Sequence, residues 1–427
     1  MQDGFIILLL SIENNIVEYL FILCISICIY YFLIIRKYIW DIFDPLLLMF
    51  IGAIFASTVP IYMYIEDLLD KEYFFFSYII TELAFLLGFK IFGLSNSKIK
   101  INSVDLVTER MKDILYKIYV SIYFVLIIYF YLKIGIPLLD FDSHVEAATK
   151  SVSMTIVLDS ILSVLVFLYI ERLFRRKINL SIILVGIMIV STLLLSGSKS
   201  SFLLIAQNLF FYQLYLRKFN KFEKYSFKKL YVYIFFIAII AAFIPIIASL
   251  EYIDDWSIII LNLLVRLVGY GDIFAYFYGS GISDIILNNN SFYNIVIESV
   301  GASFRLSDHV EAIGFQIMKE ISNSNYVPTG PNTRHNILAI VLFGLYMGPL
   351  YSFFIGALVF FISRWCYKNI IGFNFFTFII YINIYSKIIA LPTEFMGVLQ
   401  GIIVNVLLNG IIMYVVWISL YKGEKNR

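Results

Sequence analysis

The chain has 427 residues, of which 61% are hydrophobic, 18% aromatic and only 15% charged, and its mean hydropathy is +0.89. That composition excludes a water-soluble globular domain and predicts a polytopic membrane protein. The net charge of +2 says little in sum, and no nucleic-acid partner is expected. The three cysteines, Cys24, Cys28 and Cys366, form no disulfide framework and no metal cluster pattern, so neither metal nor cofactor is expected.

The N-terminal Met-Gln-Asp lacks the basic start of a cleaved signal peptide. Apolar runs of about 20 residues, enough to cross roughly 30 Å of hydrocarbon, then recur along the chain. Spans are predicted at Ile16–Ile35, Pro45–Ile65, Tyr73–Gly93, Ile114–Leu132, Val152–Ile170, Leu180–Ser196, Ser201–Leu216, Leu230–Leu250, Asn336–Ser363, Phe373–Leu391 and Gly401–Tyr421. Helices are required because lipid offers the backbone no hydrogen-bond partner. The alternating segments of about 10 residues that a barrel needs are absent.

The loops alternate in charge as the positive-inside rule requires. Arg36 and Lys37, the cations from Lys90 to Lys112, Glu171–Lys177, Arg217–Lys229, Arg364 with Lys368, and the basic tail hold most of the Lys and Arg, which makes that face cytoplasmic. The opposite face carries most of the acids, including EDLLDKE at 66–72, and all three histidines: His144, His309 and His335.

One segment strains this alternation. Ser257–Gly279 is long enough to cross, yet the loops on both sides of it belong outside, so it either enters and returns or crosses with a hidden partner within 291–321. Gly269, Gly271 and the polar Arg266 and Asp272 favour a broken helix lining a cavity, with Tyr270 at the break. Between Gly279 and Asn336 lies the one long stretch outside the spans. Within it Ser303–Ile321 has helical spacing, with an apolar stripe of Val310, Ile313, Ile317 and Ile321, and is expected along the membrane surface.

A charge inside a span is costly and marks a candidate site. The set is Glu82, Asp159, Arg266, Asp272 and Lys387. Glu82 and Lys387 either pair with each other or snorkel to an interface. Lys199, in the external hairpin SGSKSS, sits in a tight turn whose serines cap the next helix, or else offers an anion site beside that helix start. Arg305, Asp308 and His309 share one helical face, either solvated or turned to substrate.

The stretch PTGPNTRHN, Pro328–Asn336, fixes the backbone with two prolines around Gly330 and brings Arg334 and His335 to the mouth of a helix. Asn332 or Thr333 could serve as the plain helix cap. Cations oppose the positive end of a helix dipole, so stability alone would place an acid there. A bound anion would remove the conflict, and the turn reads as the rim of an active site.

These residues resemble a known family. RHNILAIVLFGLYMGPL, Arg334–Leu350, with His335-Asn336 followed by Gly344 and Gly348, resembles the signature that opens a span in the O-antigen polymerase and ligase superfamily, Wzy and WaaL. PTGPN and LLSGSKSSFLL at 194–204 also look like the oligosaccharide repeat unit polymerases, and the resemblance covers essentially the whole chain: a single integral membrane domain with one large external loop, 280–335, forming part of the active site. The resemblance implies an all-α polytopic membrane protein of about 11–12 spans, GT-C-like, with amphipathic helices in that loop, in the bacterial cytoplasmic membrane with the active site on the external face. It also implies a metal-independent glycosyltransferase that moves a growing O-antigen or capsule glycan from undecaprenyl diphosphate to a hydroxyl of the next lipid-linked repeat. A chain-length regulator and a flippase are conceivable partners.

The bottom-up chemistry agrees with this in kind. A diphosphate leaving group calls for Arg266, Arg305 and Arg334 in a partly dry cavity. A sugar hydroxyl that must lose a proton calls for a neutral histidine, His335, with Glu311 or His309 in reserve. Lys199, His309, Glu311, Asp272, Asn336 and Tyr270 are the expected substrate contacts. The rivals are a ligase that passes finished glycan to another carrier, and a flippase for the same lipid-linked unit.

Overall fold

The computed structural model describes residues 4–39, 41–91, 107–137, 152–177, 179–196, 203–218, 265–289, 296, 300–301, 303–304, 306, 312–322, 330–366 and 375–425. Among them there is no strand, and the architecture is all-helical. In chain order the helices are α1 (Gly4–Asn14), α2 (Ile16–Tyr30), α3 (Pro45–Ile65), α4 (Tyr73–Ile91), α5 (Glu109–Lys133), α6 (Val152–Arg175) and α7 (Leu180–Leu195). They continue as α8 (Leu203–Lys218), α9 (Asp272–Gly279), α10 (Ser283–Asn289), α11 (Ile313–Ser322), α12 (His335–Phe360), α13 (Phe375–Ile388) and α14 (Phe395–Lys425). A π-helical turn, Tyr31–Ile35, and the short helix Arg36–Tyr38 prolong α2, and a second π-helical turn, Phe361–Cys366, prolongs α12.

Among the described residues, seven stretches are long and apolar enough to cross a membrane: Ile16–Tyr38, Pro45–Ile65, Tyr73–Ile91, Glu109–Lys133, Ser153–Arg175, His335–Arg364 and Gly397–Ser419. Shorter apolar helices occupy Gly4–Asn14, Leu180–Leu195, Leu203–Leu216 and Phe375–Ile388. The chain is therefore a multi-pass membrane protein. The expected span Leu230–Leu250 lies outside the described residues. So does most of the expected surface helix before residue 312, although α11 forms at its end with Ile313 and Ile317 buried as the apolar stripe predicts. No expected span corresponds to α1, whose 11 residues reach only about 16 Å.

The helix starts follow local chemistry. Asp44 Oδ1 accepts from Leu46 N at 3.1 Å, with Pro45 in the first turn of α3. Thr108 and Asn179 cap α5 and α7 in the same way.

The chain divides into two compact units. The first comprises Met1–Asn96, Ile239–Trp365 and Ile388–Leu399, and the second Ser97–Ala238, Cys366–Lys387 and Gln400–Arg427. In the second unit, Asp113 is gripped by Arg172, Arg175 and Arg176 at one end of α5 and α6. Lys112 is buried, donates to the Tyr215 hydroxyl at 2.9 Å and lies over the Phe375 ring. Asn409 joins helices from within the apolar interior, accepting from Tyr119 at 2.7 Å and donating to Asn405 at 2.6 Å. Lys387 acts electrostatically on Asp159, not on Glu82.

In the first unit, α3 and α4 form a hairpin around the charged turn 66–72. Both ends of α1 are tied near that turn: Gly4 N donates to Ser280 Oγ at 3.1 Å, Ser11 Oγ lies 2.9 Å from Tyr62 Oη, and Asn15 Nδ2 donates to Glu66 Oε2 at 2.9 Å. At the same end Lys71 donates to Asp284 at 2.8 Å, and that carboxylate holds the Lys71 ammonium pKa above its ordinary value. At the far end of α3, Arg364 makes a fully buried ion pair with Asp44. Small residues allow the closest packing. A Cβ on Gly88 would overlap the Phe353 carbonyl and one on Gly356 the Phe85 carbonyl, so α4 and the later part of α12 touch backbone to backbone.

Helix α12 departs most from expectation. The continuous apolar run predicted one span over Asn336–Ser363, whereas Gly344, at φ 69° and ψ −178°, breaks the helix and reverses the chain. A straight helix would separate His335 from Ser352 by about 25 Å. Instead His335 Nδ1 lies 3.1 Å from Ser352 Oγ, and the rings of Phe343 and Tyr351 stack at 5.2 Å. The element is thus two antiparallel arms, 335–343 and 345–360. Gly344 occupies a region of backbone space essentially reserved for glycine.

Candidate functional site

The arms of α12 bring His335 back into the body of the first unit, among α2, α3 and α4. The described end of the PTGPNTRHN turn, residues 330–334, lies on the start of α11: Gly330 and Pro331 press on the backbone of Gly314, and Gly314 N donates to Thr333 Oγ1 at 3.1 Å. Thr333 therefore caps α11 and not α12, against the plain reading of the sequence. Arg334 occupies the N-cap position of α12 with no side-chain cap bond, and His335 N donates to Pro392 O at 2.6 Å. Arg334 is 4% exposed and His335 and Asn336 are 0% exposed, so these side chains are interior.

Glu82 is the centre of the cluster. Tyr30 Oη donates to Glu82 Oε1 in a very short bond, and Asn336 Nδ2 donates to Oε2 at 3.0 Å. His335 Nε2 stands 3.4 Å from the same oxygen. The Arg334 charge also acts on this carboxylate, and the Arg334 guanidinium donates to Gly52 O at 3.4 Å. Tyr30 and Asn336 can both donate to this carboxylate, the arrangement an ionised, acceptor-only Glu82 requires. Around it, Ser57 lies 3.0 Å from Tyr30 Oη, and Thr81 accepts from Asn336 at 3.0 Å. The His335 ring stacks on Phe85 at 4.5 Å. Glu82, expected either to pair with Lys387 or to snorkel to an interface, is buried among these partners.

Depth along the helices follows from residue counts. Ser57 lies eight residues before the end of α3 and Glu82 nine after the start of α4, placing the cluster about 12–14 Å from the 66–72 turn. The short helix α9 begins at a similar depth, where Gly271 sits against Ala56 and Val59, and runs to the same turn, where Tyr278 O accepts from Asp70 N at 2.8 Å. The described part of Ser257–Gly279, residues 265–279, is a helix broken at Gly269–Gly271, and the two readings of its path turn on residues outside those described.

The remaining expected site residues separate into two groups. Tyr270 is exposed, stacks on Phe55 at 5.8 Å and covers Gly52, whose carbonyl binds Arg334, so it borders the cluster. Arg266 is exposed one turn earlier, and among the described residues no hydrogen bond or ion pair joins it to Glu82 or His335. Asp272 opens α9, where an acid suits the helix dipole, and its buried Oδ1 has no hydrogen-bond partner. Lys199, Arg305, His309 and Glu311 lie outside the described residues.

Sequence reading missed Tyr30, Ser57, Phe85 and Ser352. Single hydroxyls and rings in apolar helices carry no signal of their own. Only the length of the 336–363 run, about 42 Å if straight against a 30 Å core, could have betrayed the reversal that recruits Ser352.

Chemically, the site is an imidazole held between a carboxylate and a hydroxyl, with a guanidinium beside it: the parts of a general base next to an anion-stabilising cation. Comparison with family models, with curated proteins and with solved structures finds no match to this chain, and the site is read from its own geometry.

Proposed function

We propose that the chain is a membrane-embedded, GT-C-like glycosyltransferase that polymerises lipid-linked repeat units. It transfers a growing glycan from undecaprenyl diphosphate to a hydroxyl of the next lipid-linked repeat, from a site opening to the external face. The observation that carries this reading is the His335 imidazole seated between Glu82 and Ser352 at the start of a broken helix. An acceptor hydroxyl needs a neutral base, and the positive end of α12 disfavours the imidazolium until a proton arrives. The departing diphosphate needs positive charge in a dry setting, which Arg334 supplies; Arg266 and Arg305 are the further candidates that the sequence offers for that role. Tyr270, bordering Gly52, offers an exposed ring to the bound glycan.

The test is made in cells. His335→Ala at normal protein level is expected to leave single repeats in place of a polymer ladder, since removal of a general base costs about 10²–10⁴-fold in rate. A ladder of normal length from that variant would end the assignment.

One observation favours a second reading. Both α9 and the first arm of α12 start part-way down the first unit, and half-helices of that kind form substrate sites in transporters. A flippase for the same lipid-linked unit would use them. Glycan translocation into vesicles without lengthening would support it.

A further inference from the structure

We infer that Glu82 is the positioning residue that fixes the tautomer of His335, leaving Nδ1 as the basic nitrogen and the Ser352 hydroxyl as the relay through which the acceptor's proton reaches it. The inference rests on His335 being the base of the proposed transfer, and it adds which nitrogen acts, what aims it and how the proton arrives.

The geometry carries each step. His335 Nε2 makes no hydrogen bond among the described residues and stands 3.4 Å from Glu82 Oε2, the nearest charge it faces. An ionised carboxylate only accepts, so a lone pair on Nε2 would face negative charge. The proton therefore sits on Nε2, and Nδ1 keeps its lone pair. Ser352 Oγ, 3.1 Å from Nδ1, is the one side chain within reach of that lone pair among the described residues.

Glu82 is itself held by Tyr30 on one oxygen and Asn336 on the other, and Asn336 is anchored in turn on Thr81. Phe85 fixes the plane of the ring. His335, Asn336 and Ser352 are all fully buried, which keeps bulk water from the Nδ1–Ser352 contact.

The step balances as follows. The acceptor sugar hydroxyl passes its proton to Ser352 Oγ as Ser352 passes its own to Nδ1. The acceptor oxygen's electron pair forms the new bond to the anomeric carbon, and the old bond's pair leaves on the diphosphate oxygen. The imidazolium so formed faces Glu82 and afterwards returns its proton through Ser352 to the departing diphosphate or to water.

The test has two arms on the full-length protein. In the first, protein labelled with ¹⁵N-histidine is examined by NMR in detergent micelles. It contains three histidines, and His335→Asn identifies the signal by its loss. The wild type should show a protonated Nε2 and a lone pair on Nδ1. Glu82→Gln, whose amide can donate to Nε2, should reverse them, and Glu82→Asp should keep the wild-type pattern. Nδ1 protonated in the wild type, or a pattern unchanged in Glu82→Gln, overturns the inference. If Glu82→Gln does not fold, the wild type and Glu82→Asp still decide it.

In the second arm, turnover of a synthetic lipid-linked repeat is measured. Glu82→Gln should lose about 10³–10⁴-fold in kcat with KM little changed, as an orienting carboxylate does. Ser352→Ala should lose about 10²-fold, and Ser352→Thr should restore most of it. Wild-type turnover in Ser352→Ala removes the relay. The expected tautomer in a protein that makes no polymer would refute the transferase reading and not the positioning by Glu82. His335-dependent polymer with the opposite tautomer would do the reverse.

Discussion

At the residue scale, a buried carboxylate has to be satisfied or it destabilises the fold, and Glu82 is satisfied by Tyr30, Asn336 and His335 together. Tyr30→Phe removes one donor without changing shape. It should cost about 1–3 kcal/mol, read as a lower midpoint in thermal unfolding of the detergent-solubilised protein. An unchanged midpoint would mean that the Tyr30–Glu82 bond contributes nothing. Asp44→Ala removes both the charge that pairs with the buried Arg364 guanidinium and the side-chain cap of α3. Breaking such a pair costs about 3–5 kcal/mol, so this variant should be the less stable of the two. Both readouts are independent of what the protein acts on.

At the element scale, Gly344 decides whether His335 can meet Ser352 at all. Gly344→Ala places a Cβ at φ 69°, ψ −178°, at a cost of about 1–3 kcal/mol, and should loosen the two arms. The loosening is measurable as faster trapping of a cysteine placed at 352 by a small thiol reagent, and equal trapping rates would show that the reversal does not depend on glycine. Gly356→Leu should prevent α4 and α12 from packing, because its Cβ would fall on the Phe85 carbonyl. Loss of folded protein is the expected outcome.

Much at this scale was legible in the sequence: α3 announces itself by an unbroken apolar run, and α4 and α6 by runs interrupted in mid-helix only by Glu82 and Asp159. PTGPNTRHN also marked Arg334 and His335, because prolines, glycine and cations interrupt hydrophobic sequence for a reason. The partners of His335 were not legible. Glu82 stood out as a charge in a span, but which cation it meets is set by how helices cross. A chain reversal between two apolar arms leaves no polar mark. The helix α1 was hidden because an 11-residue apolar helix merges in sequence with the span that follows it.

At the scale of the whole molecule, two facts constrain sidedness within the first unit. Lys71 and Asp284 are bonded at 2.8 Å, so residues 71 and 284 share one side of the membrane. The charge distribution assigns Arg36 and Lys37 to the cytoplasm and 66–72 to the outside. Cysteines placed at 71 and 284 should react with an impermeant maleimide on intact cells, and one placed at 37 only after permeabilisation. Labelling of 37 alone would invert the orientation and put the 66–72 turn in the cytosol. The cluster itself lies part-way down the helices, which suits a substrate whose diphosphate is carried at a membrane surface while its glycan extends into water.

The most direct measurement joins purified protein, vesicles and a synthetic undecaprenyl-diphosphate-linked repeat unit, with no flippase present. Wild-type protein is expected to convert the lipid-linked repeat into a ladder of longer glycans, and His335→Ala is expected to make none. A ladder from His335→Ala equal to that of the wild type, or repeats moved across the bilayer by the wild type and never joined, would contradict the assignment.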